Sequence, residues 1–244
     1  MNEPERILVE IDDDVLRVTL NRPDVRNAQT PAMWDQLAEI AAGIPASVRF
    51  VVISGAGQDF SSGLDRAVLA EGMLTDLQSD PEGFIAKAQE GFARWTRIPQ
   101  LVIAQVQGNA IGAGFQLALA SDVIVAAPDA RFAMREVSIG LVPDLGGTGA
   151  LVDAIGYRRA LALCATGAFL SAERAHEWGL VHTIADDPSI AVSQLLDQLR
   201  QLDQATIGDI KSLLQAVAVD RQSWSKERSA QIIRLAALFS GGPA

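Results

Sequence analysis

The chain has 244 residues, 49% of them apolar, with 30 acidic against 20 basic residues and a net charge of −10. That length supports a sizeable core, and an acidic balance without a Lys/Arg cluster excludes generic binding to nucleic acid or to an anionic membrane surface. The single cysteine, Cys164, excludes an intrachain disulfide framework, and with no leader-like N-terminus and no run of 18 apolar residues the expected location is the cytoplasm.

In chain order, "ILVEI" and "VLRVTL" around "DDD" read as a β-hairpin. After the loop "NRPDVRNAQT", Thr30 caps a helix with Pro31 at its first position. "FVVISG" (50–55), "LVIAQVQG" (101–108) and "DVIVAAP" (122–128) are continuous apolar runs, as expected of strands buried on both faces. Helical spacing fills 82–96 and 112–121, so strands and helices alternate and the class is α/β with a layered parallel sheet. From about residue 146 helices dominate: "GGTGALVDAIGYRRALALCATG", "SAERAHEWG" with Ser171 as cap, "SIAVSQLLDQLRQL", "ATIGDIKSLLQAVAV" and "SWSKERSAQIIRLAALFS", interrupted by the β-like "LVHTI". The division expected is an α/β core over 1–185 and a C-terminal helical region over 186–244.

Several chemistries are unsupported. There is no phosphate-binding G-x-x-x-x-G-K-[ST] and no G-x-S-x-G nucleophile elbow. The glycines at 108, 112 and 114 lack the dinucleotide spacing. His176 and His182 lie six apart without a partner at metal-ligand spacing, so no metal site is expected. Ser61 and Ser62 have no base visible nearby and read as turn residues; Cys164 and the tryptophans at 95, 178 and 224 read as packing. Carboxylates remain as the acid–base groups. Two glycine-rich turns follow buried strands, "GAGQDFSSGLD" (55–65) and "GNAIGAG" (108–114). Small residues there either aim backbone N–H groups at an oxyanion or make ordinary strand-to-helix turns.

"FSSGLD", "GNAIGAGFQLALASD" and "FAMREVSIGLVPDLGGTGAL", in that order and spacing, resemble the enoyl-CoA hydratase/isomerase (crotonase) family. The similarity runs from "NRPDVRNA" through "AERAHEWGLVHTI". The resemblance implies a spiral of ββα units with a C-terminal helical layer, a homotrimer or dimer of trimers, and an acyl-CoA substrate. It implies no resident cofactor, coenzyme A entering as part of the thioester. It also implies an enolate held by two backbone N–H groups, which fall at Leu64 and Ala113, with Gly63, Gly112 and Gly114 shaping the turns. Arg26 and Asp65 fall where the family lines its CoA region, although Arg26 also reads as a solvated loop residue. At the C-terminus the chain departs from the trailing acidic–glycine, Phe and Lys-Arg segment with which many relatives close the CoA site.

Family hydratases hold a water between two glutamates. One matches Glu136; the other matches Gln116, an amide that cannot act as a base. Moving a double bond needs only one carboxylate, and Asp144, eight residues after Glu136, matches an acid some family isomerases use. Asp144 reads otherwise as a helix N-cap, and Glu136 as a surface carboxylate. The leading expectation is an enoyl-CoA isomerase with Glu136 as main base and Asp144 assisting. The alternatives are a hydratase, weak or using Asp144 as its second acid, and a non-catalytic acyl-CoA-binding protein.

Overall fold

The computed structural model describes residues 6–71, 79–218 and 224–239. Residues 1–5 and 240–244, where the leader and C-terminal readings fall, lie outside the described residues, as does the last residue of "ATIGDIKSLLQAVAV".

Strands β1 (Ile7–Asp12) and β2 (Val15–Leu20) form the expected antiparallel hairpin, turning through Asp13 at φ 55°. β3 (Phe50–Gly55), β4 (Leu101–Val106), β6 (Val123–Ala126) and β9 (Thr183–Ile184) then extend the sheet in parallel, in the order β1-β2-β3-β4-β6-β9. Their apolar runs are continuous because both faces are covered. On one face Val15, Phe50, Val52, Ile103 and Val125 meet Val192 and Leu196 of helix α8 (Pro188–Arg200). The other face carries the main core, with α1 (Pro31–Ala42) and α3 (Pro81–Arg97) packed so closely that a Cβ on Gly91 would sit 2.7 Å from the Trp34 carbonyl oxygen. Thr30 caps α1 by accepting from the Met33 N–H, as its sequence position suggests.

A second, small sheet sets the site. β5 (Asn109–Ile111), β7 (Arg131–Ala133) and β8 (Leu170–Ser171) make three strands, and the parallel bridges Ser61–Ala110 and Gln29–Leu64 continue the layer. Strands β3 and β4 are each followed by a short extended piece and then by a helix: α2 (Arg66–Glu71) after 61–64, and α4 (Ala113–Leu119) after β5. This is the ββα spiral. The stretch "GNAIGAG", read from sequence as one glycine-rich turn, contains strand β5.

The helix pattern over 146–167 splits into α5 (Gly147–Ile155) and α6 (Tyr157–Thr166), because Gly156 at φ 79°, ψ 154° leaves the helical region. α7 (Ala172–Glu177) starts at Ser171, whose hydroxyl accepts from the Arg174 N–H. The remaining helices are α9 (Gln204–Ala218) and α10 (Trp224–Phe239). The buried Lys211 of α9 donates to the Asp122 carboxylate and the Gln100 carbonyl, both at 2.7 Å, and so ties α9 to the sheet.

Candidate active site

A cavity of about 470 Å3 opens where the small sheet, α1, α3 and α10 meet. Its wall includes Gly63, Leu64, Asp65, Gly112, Ala113, Gln116, Glu136 and Asp144. Eight of the ten residues singled out from sequence therefore share one space. The other two do not reach it. Gly114 packs behind the wall, where a Cβ would lie 2.5 Å from the Ser61 carbonyl oxygen. Arg26 is exposed, and its backbone is spent on the loop: its N–H donates to the Pro23 carbonyl and its carbonyl accepts from the Ser62 N–H. The cation that meets Asp65 is Arg22, at 2.8 Å. That contact and the Ala67 N–H hold the Asp65 carboxyl below its usual range, against the opposing effect of its partial burial.

The two glycine turns touch. Gly63 has φ 87°, and a Cβ there would lie 2.5 Å from the Ile111 carbonyl oxygen and 3.4 Å from the Ala113 nitrogen. Gly112, at φ 53°, ψ −121°, bends the chain between β5 and α4. Only glycine tolerates both the conformation and the approach. The neighbouring backbone is committed: Gln29 N–H donates to the Gly63 carbonyl, Asp65 N–H to Gln29 and Gly112 N–H to Ala133. Among the described residues neither the Leu64 nor the Ala113 N–H has an acceptor, and both residues line the cavity. Two unengaged amides beside each other at a wall form a site for an oxygen that carries negative charge. Ser61 is spent on the turn itself, donating to the Asn27 carbonyl and accepting from Gln29 and from the Gly63 N–H.

The carboxyls line the same cavity, Glu136 close against the Gly112 turn, where its Oε1 would lie 3.4 Å from a Cβ on that glycine. Glu136 opens a 3-10 turn, Glu136–Ile139, closed by Gly140 at φ 74°. Its Oε1 accepts from Gln116 Nε2 at 2.8 Å, while Oε2 is buried without a partner. Burial, only partly offset by that hydrogen bond, raises its pKa to about 7. The Gln116 amide has one possible orientation. Its Oε1 accepts from the N–H groups of Leu145 (2.9 Å) and Gly147 (3.3 Å), so the NH2 must face Glu136.

Asp144 has its pKa raised to about 8, first by burial and then by the charges of Glu136 and Glu227. It is not the cap of α5. The cap position is Gly146, at φ 85°, and side chains from elsewhere satisfy the helix start. Gln116 takes the N–H groups of Leu145 and Gly147, and the buried Glu227 of α10 takes that of Gly146 and pairs with the Thr148 hydroxyl.

Sequence reading missed α10 altogether as part of the site. Glu227, Gln231 and Leu235 are all buried, and the last two line the cavity. Their i, i+4, i+8 spacing on one helix face was the available signal. Apolar side chains from other elements, among them Trp34, Phe84, Ile85 and Leu141, complete the pocket. Cys164 is half-buried against the core, and burial pushes its thiol up to about 11, so it offers no thiolate.

Two carboxyls and two backbone amides without an acceptor among the described residues thus line one largely apolar cavity, an arrangement whose chemistry suits proton transfer beside a carbonyl oxygen. The family model for enoyl-CoA hydratase/isomerase matches residues 10–237, and the chain belongs to that family, as an enzyme of the crotonase type. Among curated relatives, 1,2-epoxyphenylacetyl-CoA isomerase of Escherichia coli K12 is 36% identical over 217 residues, 86% of this chain and 82% of that protein. Carnitinyl-CoA dehydratase of the same strain is 34% identical, over 79% of this chain and 71% of its own length. Among solved structures, a Thermobifida fusca YX protein in complex with acetoacetyl-CoA superposes with a TM-score of 0.84 at 36% identity, covering 97% of this chain and 95% of that one. An enoyl-CoA hydratase/isomerase from Mycobacterium paratuberculosis gives 0.86 at 30% identity, covering 96% and 95%.

Proposed function

We propose that the protein shifts the double bond of a 3-enoyl-CoA thioester to the 2-position. The observation that carries this reading is the fixed orientation of Gln116. Its oxygen is consumed by two backbone N–H groups, so it offers Glu136 only a donor and supplies no second base beside it.

The thioester oxygen accepts hydrogen bonds from the Leu64 and Ala113 N–H groups, each contributing about 3 kcal/mol as charge develops there. Of the two carboxyls, Glu136 is the more readily ionised, at about 7 against about 8 for Asp144. Both carboxyls are therefore within reach of either protonation state near neutrality, and between those midpoints the pair carries about one proton in total. Glu136 Oε2 removes a proton from C2, and the electron pair passes into the enolate. The conjugated dienolate then takes a proton from Asp144 at C4, leaving the double bond between C2 and C3. The proton gained by Glu136 returns to Asp144 before the next turnover. Coenzyme A serves as the substrate's handle, and no resident cofactor or metal takes part. Gly63, Gly112 and Gly114 shape the oxyanion turns, and Asp65 stands on the wall toward the CoA moiety, with Arg26 outside the cavity.

The second reading, hydration with Asp144 as the second acid, draws support from the two carboxyls lining one cavity. Supplying 3-enoyl-CoA and 2-enoyl-CoA separately, and following migration and water addition, tests both. Migration without rapid hydration is expected, lost in Glu136→Gln. Rapid hydration abolished by Gln116→Ala would overturn the isomerase reading, and tight acyl-CoA binding without turnover would favour a binding protein. A homotrimer or dimer of trimers in the cytoplasm is part of the proposal. The exposed Ile210, Leu213 and Leu214 of α9 support association, and light scattering checks it.

A further inference from the structure

A second hollow, of about 460 Å3, lies behind the wall of the catalytic cavity, between the first two turns of α1 and of α3. The two spaces share three lining residues, Trp34, Phe84 and Ala88, so each of these has surface on both. As a partition the three are unequal. Trp34 is 4% exposed; its indole N–H donates to Gln29 Oε1 at 2.9 Å, and its ring meets Phe92 edge-on with centroids 6.0 Å apart. Ala88 is buried and has no side-chain torsion to turn. Phe84 is only half-buried. The backbone beneath it is held by the start of α3, where Asp80 Oδ1 accepts from the Gly83 N–H at 2.9 Å and the Asp80 carbonyl from the Phe84 N–H at 3.0 Å. Of the three, the Phe84 ring is therefore the movable piece, and a fixed main chain keeps it at the shared wall.

We infer that Phe84 is the floor of the acyl pocket and sets the longest acyl chain the protein takes. The inference deepens the enoyl-CoA reading by naming a substrate class, chains that end at Phe84, and it rests on that reading for the thioester. The cavity wall divides by chemistry. Ser62, Asp65, Arg66 and Arg135 bring polar groups to it, whereas Phe84 packs against the apolar cluster of Ile85, Leu141 and Leu235. An apolar chain gains by lying against the second set, about fourfold in affinity for each methylene taken from water. That gain stops where the chain end meets the ring, because packed interior atoms leave no room for more. Swinging the ring aside would open the second hollow, but it would also take the ring from Ile85, Leu141 and Leu235. The hollow itself is wet on its outer side, where Lys87 donates to Asp35 at 2.8 Å with the two side chains 70% and 38% exposed. A longer chain therefore loses an aromatic contact and gains a partly polar space, so the closed ring is the limit.

Saturated acyl-CoA thioesters, which have no double bond to move, test this on the full chain. Calorimetric titration over the series from butanoyl-CoA to palmitoyl-CoA should show affinity rising with each added pair of methylenes, then levelling or falling in the wild type. Phe84→Ala removes the ring and joins the two hollows. The rise should then continue past the wild-type break, with chains beyond it binding about tenfold tighter or more and butanoyl-CoA affected least. Phe84→Leu, which keeps an apolar side chain at the wall, should move the break less far and serves if the alanine variant does not fold. A wild-type series that rises unbroken to palmitoyl-CoA overturns the proposal. So does a break that stays at the same length in the folded variants, or a loss of affinity equal at every length, which is what a merely structural ring would give. In turnover, kcat/KM for 3-enoyl-CoA substrates of the same lengths should follow the binding series. Absence of double-bond migration in the wild type would overturn the isomerase reading alone, and the calorimetry would still decide the role of Phe84.

Discussion

Replacing Gln116 by glutamate changes one donor into an acceptor and leaves the surrounding hydrogen bonds intact. The oxygen that accepts from Leu145 and Gly147 is retained in Gln116→Glu, so α5 keeps its start and the fold should hold. On the other side, the 2.8 Å bond from Nε2 to Glu136 becomes a contact between two acids. If both ionised and relaxed to about 4 Å apart, their repulsion would be about 4 kcal/mol at an effective dielectric near 20, equal to about three pH units. One proton must therefore be shared. The introduced carboxylate is stabilised by two backbone N–H groups and keeps its charge, so the proton settles on Glu136. Starting from a midpoint of about 7, ionised Glu136 becomes rare at neutral pH. Isomerisation at pH 7 should fall by two to three orders of magnitude, about what loss of the base form predicts, and recover as pH rises. Slow water addition to 2-enoyl-CoA should appear, since the variant restores the acid pair a hydratase needs. Stopped-flow absorbance with both substrates from pH 6 to pH 10 measures this. An acid limb that stays near pH 7 in a folded Gln116→Glu variant would refute the coupling of residue 116 to the base.

Gly63→Ala drives a Cβ to within 2.5 Å of the Ile111 carbonyl and strains a φ of 87°, so the two turns must part. Loss of about 100-fold or more in kcat, with CoA binding by calorimetry weakened far less, is expected. Burial raises Glu136 from 4.5 to about 7, so the folded state holds that proton more tightly than the unfolded chain. The resulting stability is fully present below pH 4.5 and is lost as pH rises to about 7; Asp144, raised from 3.8 to about 8, acts in the same direction. Thermal melts should show a steeper decline between pH 4.5 and pH 8 in the wild type than in Glu136→Gln or Asp144→Asn. Lys211→Met leaves the Asp122 carboxylate without its cation under α9. A loss of about 3 kcal/mol in urea melts, with kcat unchanged in the folded fraction, is expected.

The main-sheet strands and most helices were legible because each carries its own periodicity or cap. "FVVISG" is apolar throughout since both faces are covered, and Thr30-Pro31 satisfies a helix start locally. The short strands of the second sheet were not legible. Three residues such as "NAI" have no period, and their pairing with Arg131–Ala133 is a tertiary fact. Likewise Gly156 looks tolerable inside a helical pattern until its φ shows that the chain turns there.

Sequence by itself determined the parts of the site that glycine and carboxylate chemistry specify. Gly63 and Gly112 mark turns that only glycine can make, and Gln116 marks a position where an acid is missing. The tertiary structure alone decided how those parts are used. The Gln116 amide could not be oriented until the N–H groups of Leu145 and Gly147, some thirty residues on, were placed against its oxygen. Asp144 lost the alternative reading of a cap because Glu227, 81 residues from Gly146, occupies that helix start. Gly114 left the cavity wall because it packs against Ser61, and Gln231 and Leu235 joined it because α10 folds back over residues that precede it by nearly a hundred positions. Local chemistry is written in local sequence, but desolvation and hydrogen-bond partnership are set by which distant segments arrive. These two effects place the Glu136 and Asp144 carboxyls near neutrality.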